Sequence, residues 1–270
     1  MNKSKIEWCD MTWNPITGCL HGCEYCYARG IARRFGSEPV IAKGADLTAI
    51  DAYPELYAPE SRFDKNGNQI QDNYPYGFMP TFHRYRLDEP ARMKTPQTIF
   101  VCSMADMFGE WVPDEWIQAV FEACGAAPWH RYLFLTKNPG RYNKIIQSPL
   151  DFHWNRYFGA TVTDADSFTA LREDILYLRA NTQSKVFLSI EPLHGRVSML
   201  GRLAVTVRNL DWVIVGAETG GRKGRIVPER EWVDDIVVTC KTCGVPIFMK
   251  NSLAGVWGEP LIQEFPWEAK

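Results

Sequence analysis

The amino-acid sequence predicts a single α/β domain built as a partial or complete (β/α) barrel. Short apolar runs rich in β-branched and aromatic residues alternate with longer amphipathic segments, the pattern of β-α units around a parallel sheet. Polar or charged residues directly follow the apolar runs, where a barrel places its reactive groups. A chain of 270 residues can bury a substantial core, and we assign residues 1–270 to this domain.

Seven runs are predicted as strands, at 11–16, 98–103, 132–135, 157–162, 185–190, 212–215 and 245–249. Helices are predicted at 25–35, 114–124, 139–147, 166–180 and 229–240. Gly36 ends the first of these helices and Pro113 precedes the second, in keeping with residues that end and begin helices. The segment 166–180 is the most clearly amphipathic, because Phe168, Leu171 and Ile175 recur at core spacing.

Residues 37–96 interrupt this alternation. They include seven prolines and show little helical periodicity before Leu87. We therefore expect an irregular insertion after the first β-α unit, of the kind that often forms a lid or a binding loop. Because 74–80 is rich in aromatic residues, this part of the insertion is predicted to pack rather than to be a disordered linker.

Composition limits the classes of protein that are possible. A hydrophobic content of 46% with 23% charged residues is ordinary for a soluble globular protein. The net charge of −2 argues against nucleic-acid binding by overall basicity, although a local basic patch stays possible. No signal peptide or run of transmembrane length is present, so we expect no membrane partner. Eight cysteines without an export signal indicate a reducing compartment, and we expect the cytoplasm.

Three of the eight cysteines lie close together at Cys19, Cys23 and Cys26, with the spacing C-x3-C-x2-C. Thiolates are soft ligands that can converge on one inorganic centre. A closed zinc site needs four ligands, whereas a four-iron cluster on three cysteines leaves one iron open. Two alternatives stay open at this point: a zinc site completed by His21, and thiols close together by chance.

This spacing is similar to that of the radical S-adenosylmethionine (SAM) enzymes. The resemblance implies a [4Fe–4S] cluster on the three cysteines, with SAM bound at its open iron. It also implies reductive cleavage of SAM to a 5′-deoxyadenosyl radical, driven by a one-electron reductant such as flavodoxin or ferredoxin. The residue before the last cysteine is usually aromatic in that superfamily and lies by the adenine, which assigns Tyr25 to this place.

Polar residues follow the predicted strands directly. Any one of them has a plain explanation as a turn or helix cap, but their recurrence favours a lined pocket at the barrel mouth. Charges so near the core need partners, and SAM offers an ammonium, a carboxylate and a ribose diol. The residues interpreted as candidates to contact SAM or a substrate on this basis are Ser103, Asp106, Lys137, Thr163, Glu191 and Glu218.

Spore photoproduct lyase, a radical SAM family that repairs DNA, has comparable strand ends. The resemblance implies that Ser103, Lys137 and Thr163 contact SAM. It makes Cys102 a candidate hydrogen-atom donor, although the spacing from Cys102 to Ser103 differs from the family pattern. A buried, inert cysteine inside a strand is the alternative for Cys102.

A phage-associated radical SAM family of unassigned reaction is similar over nearly the whole chain. The resembling segments are 12–15, 86–90, 100–108, 135–137, 187–193 and 212–218. This likeness implies the fold and the cofactors, but no substrate.

Two further features stay ambiguous. Cys240 and Cys243 form a C-x2-C pair, which we interpret as two thiols at a helix end, with a second metal site as the alternative. The glycine-rich basic loop 220–225 and the basic, aromatic stretch 83–86 could contact phosphate or single-stranded nucleic acid. Ordinary solvated loops are the plainer interpretation of both.

The sequence therefore predicts a radical SAM enzyme that abstracts a hydrogen atom from a nucleobase or nucleic acid. A small metabolite or a peptide is the alternative substrate. A non-catalytic zinc or iron–sulfur protein is the alternative of a different class.

Overall fold

The computed structural model describes residues 1–37, 53–64, 66–146, 154–197, 200–258 and 260–268. The chain divides into two units by its internal contacts. The first comprises Met1–Ser4 and Cys9–Tyr132, and the second comprises Lys5–Trp8 and Leu133–Lys270. The assignment of residues 1–270 to a single barrel domain stays a prediction.

In the first unit, the strands Met11–Trp13 and Thr98–Val101 pair in parallel, with Thr12 opposite Phe100. The short strand Asn2–Lys3 pairs antiparallel with the first of them. Helices in this unit are Tyr27–Phe35, Glu89–Arg92 and Asp114–Gly125, with a 3-10 turn at Arg84–Arg86. The first predicted strand is shorter than expected, because the chain turns at Asn14 and Pro15 before the separate strand Ile16–Thr17.

The described part of 37–96 is less irregular than expected, because it contains four short strands. Thr81–His83 pairs with Ile16–Thr17 on one side and Glu55–Leu56 on the other, and Glu60–Phe63 pairs with Gln69–Asp72. Pro54 and Pro80 stand directly before strands, where their missing N–H removes no ladder hydrogen bond. These two prolines therefore mark strand starts. Residues 38–52 of the predicted insertion lie outside the described residues.

In the second unit, four neighbouring strands are parallel: Arg156–Val162, Lys185–Ile190, Trp212–Val215 and Ile247–Met249. The strand Arg131–Thr136 precedes them in the chain and begins in the first unit. The helices are Gly140–Ile145, Ala165–Asn181, Leu200–Val207, Arg230–Cys243 and Ala254–Trp257, with a 3-10 turn at Asn251–Leu253. The β-α alternation with parallel strands is thus confirmed within this unit, whereas barrel closure stays a prediction.

Local chemistry explains where these helices begin and end. Asp164 and Ser167 form a capping box at the start of Ala165–Asn181. Gly244, with φ +68°, ends Arg230–Cys243 in the left-handed conformation that glycine adopts without strain. The helix Leu200–Val207 was not predicted, because β-branched residues near its end weaken the helical signal.

The C-terminal segment covers the outer edge of the second unit's sheet. The Met249 N–H donates to the carbonyl of Ile262, and the Glu264 N–H donates to the carbonyl of Ile247. Trp212 packs edge-to-face against Phe248 and Trp267, with ring centroids 6.1 and 5.4 Å away. Pairing of this edge removes a site for intermolecular strand addition.

None of the described helices is long and apolar enough to cross a membrane.

Candidate functional site

The cysteine loop is held by backbone contacts on two sides. The Gly18 N–H donates to the carbonyl of Met104 at 3.0 Å, and the Cys19 N–H donates to the carbonyl of Phe78 at 3.2 Å. Gly18 has φ +86°, and a Cβ at this position would lie 2.1 Å from the carbonyl oxygen of Met79. Only glycine fits here, because both the backbone conformation and the close approach exclude a side chain.

The three loop cysteines are half-buried and free of disulfides. Cys26 is the N-cap of the helix Tyr27–Phe35, where its Sγ accepts the N–H of Arg29 at 3.4 Å. Burial raises the pKa of the Cys19 thiol to about 12. Repulsion from Asp106, Cys23 and Cys26 adds to this increase, whereas a hydrogen bond from the His21 backbone partly offsets it. The thiols are thus near enough to one another to interact electrostatically.

These residues fit an iron–sulfur cluster in the chemistry of their donors. Three soft thiols on one anchored loop can each ligate a different iron, and binding would displace the thiol protons. Among the described residues, no group of three or more His, Cys, Asp or Glu side chains is arranged to hold a single metal ion.

His21 of the cysteine loop contacts Asp106, which lies in the segment after the strand Thr98–Val101. The two side chains meet with His21 Nε2 2.7 Å from Asp106 Oδ2, and Asp106 Oδ1 accepts the N–H of Phe108 at 3.0 Å. The His21 ring also packs edge-to-face against Trp111, with centroids 4.8 Å apart. Asp106 is buried, so this contact gives its carboxylate a polar partner and ties the loop to the segment after the strand Thr98–Val101.

Ser103 is positioned by Asn14, a residue that sequence reasoning did not select. Asn14 Oδ1 accepts the Ser103 hydroxyl at 3.1 Å and the Met104 N–H at 3.0 Å. Tyr27 donates its hydroxyl to the carbonyl of Ser103 at 2.6 Å. Asn14 directly follows the strand Met11–Trp13, so the strand-end rule could have found it. The structure therefore brings Ser103, Asp106 and the cysteine loop together in the first unit.

Cys102 is buried and follows the strand Thr98–Val101 with φ +58°. This left-handed conformation is uncommon for a residue with a side chain and is found mostly at turns and functional sites. Burial raises the pKa of its thiol to about 12, so the sulfur keeps its proton at neutral pH. Tyr25 is half-buried in the turn between Cys23 and the helix Tyr27–Phe35.

In the second unit, the predicted carboxylates already have cationic partners. Arg222 donates from Nε and an Nη atom to the two oxygens of Glu218, at 2.7 and 2.8 Å, and His194 Nε2 lies 3.0 Å from Glu218 Oε2. The hydrogen bond from Arg222 lowers the pKa of Glu218 to about 2, and the contact with His194 adds to this decrease. Glu191 pairs with Lys250. A pair of this kind is charge-assisted and holds each side chain in one orientation.

The remaining second-unit candidates have more local contacts. Thr163 donates its hydroxyl to Asp164 at 3.0 Å, next to the helix cap. Lys137 is half-buried and directly follows the strand Arg131–Thr136. His194 was not among the predicted site residues. Its backbone N–H donates to the carbonyl of Thr163 at 2.8 Å, and its ring contacts Glu218, so it connects the chain after two different strands.

Both basic stretches contain residues engaged in internal contacts. In the loop 220–225, Arg222 forms an ion pair with Glu218. In the stretch 83–86, His83 and Arg86 are buried, and Arg84 pairs with Glu55. Apart from Arg222, the loop 220–225 is exposed, in keeping with the plainer interpretation of a solvated loop, whereas the stretch 83–86 is not a solvated loop. Neither stretch offers its full positive charge to phosphate, because Arg222 and Arg84 are paired with carboxylates.

The C-x2-C pair lies at the C-terminal end of the helix Arg230–Cys243. Cys240 is buried, and burial raises the pKa of its thiol to about 12. Cys243 Sγ lies 3.5 Å from the carbonyl of Ala204. A helix C-terminus disfavours thiolates, which suits the interpretation of two structural thiols.

Comparison with known proteins gives a family and a fold. The family described as "Protein of unknown function (DUF5131)" matches residues 3–264. A cysteine-to-serine variant of spore photoproduct lyase is similar in structure, with a TM-score of 0.53 and 10% identity over 92% of this chain and 78% of that chain. A double variant of spore photoproduct lyase with bound AdoMet and dinucleoside spore photoproduct gives a TM-score of 0.54 and 9% identity over the same shares. No curated protein matches the chain. At these identities the likeness shows a shared fold.

Replacement of Gly18 by alanine should destabilise the protein more than the same change at Gly22. Both glycines have positive φ, so each variant loses about 1–2 kcal/mol of unfolding free energy. Gly22 has open space around it, whereas the new Cβ at position 18 would overlap Met79 and cost about 1–3 kcal/mol more. Denaturant unfolding of Gly18→Ala and Gly22→Ala measures the difference, and equal losses would contradict the close-approach argument.

Replacement of Glu218 by glutamine should lower stability near neutral pH but not in acid. The pKa of Glu218 is lowered from 4.5 to about 2, so its contribution is full above about pH 4.5 and is lost as pH falls towards 2. The expected loss for Glu218→Gln near pH 7 is about 3 kcal/mol. Denaturant unfolding at several pH values checks this. Glu173→Gln, at an exposed ion pair, is the control and should change stability by under about 0.5 kcal/mol. A loss for Glu218→Gln that does not vary with pH would contradict the ion-pair origin.

Proposed function

The chain belongs to the family of proteins of unknown function DUF5131, and we propose that it is a radical SAM enzyme. The observation that carries this proposal is the loop that backbone contacts anchor and that presents Cys19, Cys23 and Cys26 outside any disulfide. The fold shared with spore photoproduct lyase supports it. A phage association of the family belongs to the proposal as well, on sequence resemblance alone.

The chain's own residues would hold and orient the cofactors. Cys19, Cys23 and Cys26 would ligate a [4Fe–4S] cluster, and the contacts of Gly18 would fix their positions. When bound, the cluster and SAM would supply the one-electron chemistry, which yields a 5′-deoxyadenosyl radical that abstracts a hydrogen atom from substrate. The electron would come from a protein such as flavodoxin or ferredoxin, with the cytoplasm as the expected compartment.

Other residues are proposed to bind SAM or substrate. Tyr25 would lie by the adenine, and the Ser103 hydroxyl would be presented in the orientation set by Asn14. The further proposed contacts are Asp106, Lys137, Thr163, Glu191 and Glu218. Asp106, Glu191 and Glu218 each have a histidine, lysine or arginine partner already. Each carboxylate would therefore contact the ammonium group of a ligand while it keeps its present partner.

Cys102 is the proposed hydrogen-atom donor. A thiol can reduce a carbon radical by giving up its hydrogen atom, which requires that the S–H bond be intact. The raised pKa of Cys102 meets this requirement at neutral pH. Its burial at 3% exposure means that substrate would have to reach it from within a closed pocket.

The proposed substrate is a nucleobase or nucleic acid, for modification or repair. Support comes from the shared fold, since the similar spore photoproduct lyase structure holds a dinucleoside spore photoproduct. A small metabolite or a peptide is the alternative, and the internal pairing of Arg222 and Arg84 favours it.

A non-catalytic zinc or iron–sulfur protein is the alternative of a different class. The contact of His21 Nε2 with Asp106 favours its zinc form, because zinc-bound histidines usually hydrogen-bond a carboxylate through the other ring nitrogen. Metal analysis after anaerobic purification tests the zinc form, since the radical SAM proposal requires iron, and an iron-loaded chain that forms no 5′-deoxyadenosine supports the iron–sulfur form.

The chain reconstituted with iron and sulfide under anaerobic conditions should bind about four irons and form 5′-deoxyadenosine from SAM and dithionite. Cys23→Ala should reduce the product to background, because one thiolate ligand is lost. Cys243→Ala, outside the loop, is the matched control and should keep full activity. Zinc alone in the purified protein, about eight irons per chain, or an iron-loaded chain that forms no 5′-deoxyadenosine would each contradict the assignment.

A nucleic-acid substrate predicts salt-dependent binding of oligonucleotides. If two or three phosphates are contacted, affinity for a labelled single strand should fall about tenfold between low and physiological salt, because bound counterions are released. Fluorescence anisotropy over a salt series measures this. An affinity that is undetectable at low salt would favour the small metabolite or peptide.

A further inference from the structure

The helix Tyr27–Phe35 leaves an apolar row open to solvent. Tyr27, Ile31 and Phe35 recur four residues apart and are 55%, 37% and 48% exposed. The helix buries Ala28 and Ala32 instead. A surface helix normally turns its apolar face to the core and its polar face to water. We name Tyr27, Ile31 and Phe35 the helix stripe. Exposed apolar side chains grouped along one face of a helix are typical of an interaction site.

The charge beside the helix stripe is positive. The helix carries Arg29, Arg33 and Arg34 and has no acidic residue, and the loop before it carries one acid, Glu24. Arg33 and Arg34 are exposed in the last turn. Arg34 lies over the ring of Phe35, with its guanidinium carbon 5.0 Å from the ring centroid. Apolar and aromatic side chains next to arginines have the composition of a protein interface, here one that attracts an acidic partner.

The helix stripe begins at the candidate metal centre. Cys26 is the N-cap of this helix, and Tyr27 is the next residue. Tyr27 also reaches the segment after the strand Thr98–Val101 through its hydrogen bond to the Ser103 carbonyl. A protein bound on the stripe would therefore lie against the outside of the cysteine loop. This location suits a partner that exchanges electrons with the loop's ligands.

We propose that the helix stripe and Arg33 and Arg34 form the docking surface for an acidic protein that donates single electrons. The proposal rests on the proposed function, since it names the surface by which the cluster is reduced. One electron would pass from the reduced cofactor of the donor to the cluster, and the donor would be oxidised by one electron. No proton transfer is required in this step.

The composition of the surface favours a protein donor over other occupants. Tyr27 and Phe35 have π faces, but Ile31 between them has none, so the helix stripe offers no continuous row on which successive nucleobases could stack. A second copy of the chain would bring the same arginines together across a two-fold axis, where they would repel. An acidic donor protein satisfies both the apolar row and the positive charge.

The double variant Ile31→Glu/Arg34→Glu tests the proposal in the reconstituted full chain. With an acidic flavodoxin as the reductant, 5′-deoxyadenosine formation should fall at least about tenfold, because the variant adds charge to the apolar row and repels the donor. With dithionite, which needs no docking surface, the rate should stay within about twofold of the unmodified chain. Val205→Glu/Arg208→Glu is the matched control, since Val205 is 49% exposed on the helix Leu200–Val207. It should leave both rates unchanged.

The outcomes separate this proposal from the proposed function. An unmodified chain that is inactive with dithionite contradicts the proposed function, and the binding of flavodoxin by calorimetry then tests the surface directly. A Kd that rises about tenfold in the variant and weakens with salt supports the surface. An unchanged rate with flavodoxin, or an unchanged Kd, overturns it. Loss of oligonucleotide binding or of a dimer in the variant, with flavodoxin unaffected, also overturns it in favour of those occupants.

Discussion

The close packing around Gly18 is the constraint on which the cysteine loop depends. The Gly18 and Cys19 N–H groups are bound by backbone carbonyls of two different segments, at Met104 and Phe78. The missing side chain of Gly18 lets the carbonyl of Met79 approach where a Cβ would stand. Backbone contacts of this kind hold the loop without using its thiols, which therefore remain available as ligands. The loop is therefore preorganised before any metal binds.

Charge pairing is the second theme, and it recurs in both units. Asp106 meets His21, Glu191 meets Lys250, and Glu218 meets Arg222. A carboxylate near the core requires such a partner, because desolvation of an unpaired charge is costly. The pairs give the strand ends rigid, oriented polar groups. They also reduce the net charge that each group presents to a ligand, which limits how strongly one carboxylate alone could select a cation.

Much of the fold was predictable because its signals are local. The strands Lys185–Ile190 and Trp212–Val215 and the helix Asp114–Gly125 lie within a residue of the prediction, since continuous apolar runs and Pro113 mark them directly. The small sheet that includes Thr81–His83 was missed. Its strands have two or three residues each, too few for alternation to be visible, and they form by pairing with partners distant in sequence.

The sequence by itself determined the chemistry that this protein has to offer: three closely spaced thiols, and polar side chains after the strands. Residue types and spacing suffice for this, because soft ligands and strand-end positions follow from local order. Only the tertiary structure decided which of these groups are free. In it, Asn14 hydrogen-bonds Ser103, and Arg222 pairs with Glu218. His83 and Arg86 are buried, whereas Ile31 is exposed near the cysteine loop. Such outcomes depend on contacts between distant segments, which no local pattern encodes.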